Sequence, residues 1–216
     1  MQNENSQLLT IAVLGGTGKA GRFVVDELVR QGMHVKMLVR SPEKAPAKHP
    51  AIEIVLGSAR NYSTIQRLIS DCDAVISTLG PSKTETDICS VSARHVIGVM
   101  KQINIKRYIE IAGLGLTVPG DNRNILTRLI TWAIRTFSPA TVKDRQLTYE
   151  ILSSSRINWT IIRCPTIEMS GKRKNIKVGM EDNPGFKVTA ADLAYFIVEQ
   201  IHSHEYLKKC PFISSS

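Results

Sequence analysis

Apolar residues along this chain come in short continuous runs that alternate with stretches of helical spacing. Leu8 to Leu14 reads Leu-Leu-Thr-Ile-Ala-Val-Leu and ends in glycines, the pattern of a strand covered on both faces. Ala20, Phe23, Val24 and Leu28 then recur at helical spacing, and Gly32 follows the last turn as a C-terminal cap. His34 to Arg40 supplies a second strand, so the opening segment is a strand, a glycine turn, a helix and a strand, a βαβ unit.

The alternation continues. Ile52 to Leu56 reads as a third strand; Thr64, Ile65, Leu68 and Ile69 mark a short helix; Ala74 to Thr78 is a fourth strand ending at Gly80-Pro81. A helix over about Thr86 to Ile103 and strands at Arg107 to Ala112 and Trp159 to Arg163 extend the series. A long helix near Thr141 to Ser153 precedes the sixth strand, and a last helix opens at Val188-Thr189-Ala190-Ala191-Asp192-Leu193-Ala194, runs to about His202 and is capped by Thr189 or a neighbour. A short strand near Phe212 is placed at the sheet edge. This order predicts an α/β fold, a doubly wound (Rossmann) sheet of mostly parallel strands with helices on both faces. Two stretches break the rhythm, Gly113 to Asn124 and Thr166 to Phe186, the latter rich in Gly, Lys, Asn and Pro. Without a repeat or a shift in composition, residues 1–216 form one domain and the substrate pocket is built from loops 113–124 and 166–186.

Composition narrows the classes. A chain of 216 residues, 43% hydrophobic and 22% charged, buries one substantial core. No apolar run approaches the roughly 20 residues that span a bilayer, and the polar start Met1 to Gln7 lacks a signal-peptide layout, so a cytoplasmic location without membrane contact is expected. Cys72, Cys89, Cys164 and Cys210 lie far apart without CxxC spacing or a neighbouring His, which reads as buried reduced thiols and no metal site. The net charge of +9 favours polyanions in general. The densest basic cluster, Arg163 with Lys172, Arg173, Lys174 and Lys177, reads as a solvated loop; no nucleic-acid-binding signature accompanies it, so nucleic acid is not an expected partner.

The chemistry sits in Gly15-Gly16-Thr17-Gly18-Lys19-Ala20-Gly21. Gly15, Gly18 and Gly21 are spaced by three directly after a strand and at the start of a helix. Absent side chains let backbone N–H groups and the positive helix N-terminus reach a pyrophosphate, Gly21 allows tight packing of helix on strand, and Thr17 and Lys19 add donors. An NAD-preferring site commonly ends the second strand with an acid for the ribose hydroxyls; here the position reads Val39-Arg40-Ser41. Arg40, with Ser41 and Lys44, offers donors to a 2′-phosphate, and no repelling acid is visible in the sequence, so NADP is expected rather than NAD.

The glycine turn, Val39-Arg40, Thr78-Leu79-Gly80 and Trp159-Thr160-Ile161-Ile162-Arg163-Cys164-Pro165 resemble the atypical short-chain dehydrogenase/reductases, in particular the NmrA-like, biliverdin/flavin-reductase-like NAD(P)H-binding proteins. The resemblance runs from about residue 8 to 202 and includes Val188 to Ala194. It implies that Thr78, Leu79 and Gly80 flank the cofactor, that Pro165 and Thr166 border the nicotinamide side, and that Ser58 and Ala59 lie near the adenine. Many relatives carry Asp where this chain has Ser58, which weakens the acceptor for the adenine amino group.

The typical catalytic pattern is missing. Members of the wider family pair Tyr and Lys as YxxxK before the sixth strand, with a Ser after the fifth; here Val142 and Gln146 fall at the dyad positions and Ala112-Gly113 at the Ser. Ala112 is still counted among the cofactor contacts. Without a phenol–ammonium pair an alkoxide has no evident proton source, which disfavours alcohol dehydrogenase or epimerase chemistry. Hydride delivery to a flat conjugated acceptor asks mainly for stacking. Tyr149, Lys143 and Arg145 share a helix; Tyr149 reads as packing and the two cations as a solvated face. His95, His202 and His204 receive no catalytic role.

These readings give an NADPH-dependent oxidoreductase acting on a planar conjugated small molecule such as a flavin or quinone, as monomer or homodimer, with unknown catalytic residues. The alternative is a non-catalytic NAD(P)-sensing regulator of the NmrA-like type.

Overall fold

The computed structural model describes residues 8–81 and 84–216, so the polar start Met1 to Gln7 lies outside the described residues. Ten strands and six helices follow in chain order: β1 Thr10–Leu14, α1 Gly21–Arg30, β2 His34–Val39, β3 Ile52–Leu56, α2 Tyr62–Ile69, β4 Ala74–Ser77, α3 Ile88–Ile103, β5 Arg107–Gly113, α4 Ile125–Phe137, α5 Pro139–Ser153, β6 Asn158–Cys164, β7 Thr166–Glu168, β8 Ile176–Gly179, β9 Lys187–Thr189, α6 Ala190–Glu199 and β10 Phe212–Ser215.

Eight strands form one sheet in the order β3-β2-β1-β4-β5-β6-β10-β8, while β7 and β9 pair separately. Every pairing in the large sheet is parallel except β10 with β8. The order reverses between β1 and β4. Crossovers from β1 to β3 run one way and those from β4 onward run the other, opening a crevice at the carboxyl ends. Two apolar layers fill the faces. Ile65, Leu68, Val96, Met100 and Leu152 from α2, α3 and α5 cover one; Val24, Leu28, Leu193 and Ile197 from α1 and α6 cover the other.

Local chemistry sets the helix ends. Asn61 and Thr189 cap α2 and α6 by accepting from backbone N–H groups, α3 ends on left-handed Asn104 (φ 61°), and Gly32 follows α1 at φ 81°.

Four expectations are corrected. The strand at Phe212 is an interior strand; β8 forms the edge and runs antiparallel. The stretch Thr166 to Phe186 contains β7 and β8, whose three and four residues are too few for their alternation to register as strands. Arg163 belongs to no solvated loop: it sits in β6 with its side chain fully buried, 3.5 Å from the Phe212 ring centre, and its Nη1 donates to Asp121 Oδ1 at 2.6 Å. The last helix also stops at Glu199, before His202.

Candidate functional site

The crevice at the switch point is bounded by the turn after β1. Gly15 takes φ 81°, and a Cβ there would lie 2.8 Å from the Leu79 amide nitrogen. A Cβ on Gly21 would lie 2.1 Å from the Gly15 carbonyl oxygen and 2.7 Å from Thr78 Oγ1. The Thr78 hydroxyl donates to Leu14 O at 3.1 Å, so the ends of β1 and β4 and the first turn of α1 close on one another through two glycines and one threonine. Gly16 is buried for a different reason: its Cβ would strike Met37 Sδ at 2.5 Å, a packing contact with β2. Gly18 donates its N–H to Gly15 O at 2.9 Å, and Thr17, Gly18 and Lys19 are exposed. No side chain caps α1 at Ala20 and no acid occupies its first turn, so the positive end of the helix has no protein counter-charge there, although the Arg22 and Phe23 amides already bond Gly18 O and Ala20 O.

Beside this turn lies a cavity of about 150 Å³. Gly15 and Thr17 line it from the turn, Leu38 and Arg40 from the end of β2 and the residue after it, Gly57, Ser58 and Ala59 from the segment after β3, Leu79 and Gly80 from that after β4, Glu85 from the segment before α3, and Ile88 from the start of α3. Seven of the residues named from sequence therefore converge here. Lys19, Ala20 and Gly21 remain on the turn outside the cavity, and Thr78 lies beneath it. Ser41 and Lys44 sit in a 3-10 turn, Pro42–Lys44, beyond Arg40. Ala112 is buried at the end of β5, where its carbonyl accepts the Cys164 thiol; Pro165 and Thr166 follow β6. These three share the carboxyl edge, farther along the sheet than the cavity. Leu38, Gly57, Glu85 and Ile88 carried no motif and were missed.

The rim charge corrects one premise. The sequence shows no acid beside the 2′-phosphate position, yet the fold brings Glu85 there from the segment before α3. Glu85 bonds Arg40 and lies 3.4 Å from Arg60 Nε, while Arg60 also bonds Asp87.

Beneath the cavity lies a buried polar cluster. Glu110 in β5 accepts from Tyr108 at 2.9 Å and from Arg145 Nη1 at 2.5 Å, and Arg145 Nη2 donates to the Leu79 carbonyl at 2.5 Å. Asp144 accepts from the Cys89 and Ser90 amides at 3.0 Å each, tying α5 to the first turn of α3. Arg145 is thus no solvated cation: its side chain is 11% exposed and it holds the backbone of the cavity wall. Burial pushes the Glu110 carboxyl up to about 7, against the pull of Arg145. The visible signal was an acid inside a strand otherwise covered on both faces, which demands a buried partner.

Val142 packs against Gly115, where an added Cβ would lie 2.9 Å from its Cγ2. Gln146 opens into a groove with Thr117, Arg135 and Lys143. Neither lines the cavity beside the glycine turn. Tyr149 packs edge-on against Trp159, and half-buried His95 meets Tyr62 in the same way. His202 and His204 are exposed. The two irregular loops do meet, the Asn122 amide donating to Glu181 O at 3.0 Å. They border a separate cavity of about 250 Å³ beside β6 that shares no lining residue with the first.

All four cysteines are buried and free, and burial raises Cys72, Cys164 and Cys210 to about 12. The described residues hold no group of three His, Cys, Asp or Glu fit for a metal ion and no helix long and apolar enough to cross a membrane.

Comparison with known proteins follows the same lines. The model of a family described as NAD(P)H-binding matches residues 15–204. Among curated relatives, eugenol synthase 1 of Petunia hybrida is 31% identical over 107 residues, 45% of this chain and 33% of that protein. The phenylcoumaran benzylic ether reductase Pyrc5 of Pyrus communis is 30% identical over 108 residues, 45% and 33% of the two chains. The chain spans about a third or less of the length of the curated relatives it matches. Among solved structures, a short-chain dehydrogenase/reductase of Veillonella parvula in complex with NADP superposes with TM-score 0.80 at 16% identity, over 97% of this chain and 95% of that one. A Rossmann-fold NAD(P)-binding family protein from Shigella flexneri gives TM-score 0.73 at 20% identity, over 97% and 94%.

Proposed function

From the premise that this chain belongs to the NAD(P)H-binding family, we propose that it is an NADPH-dependent oxidoreductase whose acceptor is a planar, conjugated small molecule such as a flavin or quinone. The observation that carries this reading is the interlock of Gly15, Gly21 and Thr78 beside an uncapped helix start, because a Cβ at either glycine would collide with backbone. The diphosphate of the cofactor would lie on Thr17 to Gly21, and its adenosine half between Leu38, Ser58, Ala59 and Ile88.

The preference for NADP rests on Arg40 and Arg60, two guanidinium groups that meet at Glu85. A 2′-phosphate carries more charge than one carboxylate and accepts bidentate donors, so it would take Arg40 from Glu85. NAD, with only hydroxyls to offer, would leave that pair in place.

When bound, the nicotinamide supplies the hydride. The chain's own part is to fix the cavity wall: Arg145 holds the Leu79 carbonyl and itself bonds to Glu110. No phenol or ammonium group stands at the dyad positions, so the residues present suit an acceptor that spreads its charge over a conjugated system.

Mixing the protein with NADPH and a panel of flavins and quinones, and following loss of nicotinamide absorbance, tests the reading. Turnover with at least one is expected. Tight cofactor binding with no turnover across the panel would instead support a non-catalytic NAD(P)-sensing regulator, a reading favoured by the position of Val142 and Gln146 outside the cofactor cavity.

A further inference from the structure

Helix α4 fully buries two threonines and leaves most of its large apolar side chains exposed, with Ile130 and Ile134 half-buried. A surface helix ordinarily buries its apolar stripe and exposes its polar one. In α4 the buried residues are Thr127 and Thr131, whereas Ile125, Leu126, Leu129, Trp132 and Phe137 are exposed, Ile125 by 76% and Phe137 by 82%. The inversion is anchored. Asn124 caps the helix by accepting from the Thr127 amide at 2.9 Å, and its own amide donates to Asp182 at 3.1 Å. The Thr131 hydroxyl donates to Thr127 O at 2.8 Å and accepts from Arg123 at 2.6 Å. Polar bonds thus hold the threonine face inward and present the apolar face to the outside.

Along the segment that carries the stripe the charge is one-sided, although the fold sets one acid, Asp182, at the Asn124 cap. From Asn122 to Lys143 the chain has no Asp or Glu. Arg128 and Arg135 lie one heptad apart, along one border of the stripe, and both are exposed.

We infer that α4 is an interfacial helix that seats this protein on a membrane surface containing anionic lipid. An apolar face carrying Trp, Leu, Ile and Phe beside a basic border is the pattern of a helix lying in the headgroup region, where the indole sits at the interface and the arginines reach lipid phosphates. No spanning segment is needed, so the want of one does not count against it. A second copy fits less well. Thirteen helical residues give a stripe about 20 Å long and about 10 Å wide, well under the roughly 800 Å² per partner of a stable protein interface. Pairing α4 with itself would also bring arginines toward arginines with no acid from this segment between them.

The test uses the full chain with vesicles of phosphatidylcholine alone and of phosphatidylcholine mixed with phosphatidylglycerol. The protein has two tryptophans, and Trp159 is 3% exposed, so a change in emission reports on Trp132. Expected are a blue shift and co-sedimentation with the anionic vesicles, with affinity about tenfold or more above that for the neutral ones. Leu129→Glu should abolish both while leaving NADPH binding and thermal unfolding unchanged, since Leu129 is exposed. Arg128→Gln with Arg135→Gln should remove the preference for anionic lipid. Absence of binding to anionic vesicles, or binding unaffected by Leu129→Glu, overturns the inference. So does a lipid-free dimer that Leu129→Glu dissociates, which would assign the face to a second copy.

Discussion

Glu85 closes an ion pair on Arg40 at the cavity beside the glycine turn, 45 residues away along the chain. The pair holds the segment before α3 against the end of β2, and it sets a protein carboxylate in competition with a ligand anion for one guanidinium.

Removing the competitor should therefore favour the phosphorylated cofactor. In Glu85→Gln we expect NADPH affinity to rise by up to about tenfold, with a smaller change for NADH. Arg40→Ser should do the reverse, lowering NADPH affinity by about 10- to 100-fold. Titrations of both variants with both cofactors check this; equal changes for NADPH and NADH would refute the assignment of the 2′-phosphate to Arg40.

The glycines of the turn should not be equivalent. Gly21→Ala drives a methyl group into the Gly15 carbonyl, which cannot move without opening the turn. A loss of about 1–3 kcal/mol, several degrees in Tm, is expected together with loss of cofactor binding. Gly16→Ala meets only the flexible end of Met37 and should cost less. Thermal unfolding of the two variants side by side decides the point.

Glu110 predicts a pH dependence of stability. Its carboxyl holds its proton to about 7 in the folded protein, against an ordinary carboxylate value of 4.5 in the unfolded chain. Its contribution is therefore full below about 4.5 and lost as pH rises through about 7, a difference of up to about 3 kcal/mol. Denaturation of the native protein and of Glu110→Gln from pH 4.5 to 8 should give a gap that changes across this window. A constant gap would show that Glu110 is ionised throughout.

Arg145 should be needed for more than charge. Arg145→Met leaves Glu110 buried without its counter-ion and releases the Leu79 carbonyl. A loss of about 3–5 kcal/mol is expected, and the double variant with Glu110→Gln should recover part of it. Failure of the double variant to recover any stability would show that the backbone bond to Leu79, and not the buried charge, dominates.

The sequence by itself determined the order of the first six strands and of α1, α2, α3, α5 and α6, the doubly wound sheet and the glycine turn, but not α4 or the short strands β7 to β9. These rest on local patterns: continuous apolar runs for covered strands, helical spacing for crossovers, and three glycines in register where a strand becomes a helix. Arg40 was legible from its place at the end of the second strand, and Ser58, Ala59, Leu79 and Gly80 from the family resemblance; all five line one cavity. Tertiary structure alone decided which charges meet there. Glu85 reaches Arg40, and Glu110 reaches Arg145 from a different element, because separate crossovers return to neighbouring strands. It also decided that Arg163 is a buried tether and Arg145 a wall support, although both read as surface cations. It turned α4 outward as well, since hydrogen bonds from Asn124, Arg123 and Thr131, formed with residues elsewhere in the fold, fix which face of the helix looks in. Periodicity tells that a helix has two faces; only its partners choose between them.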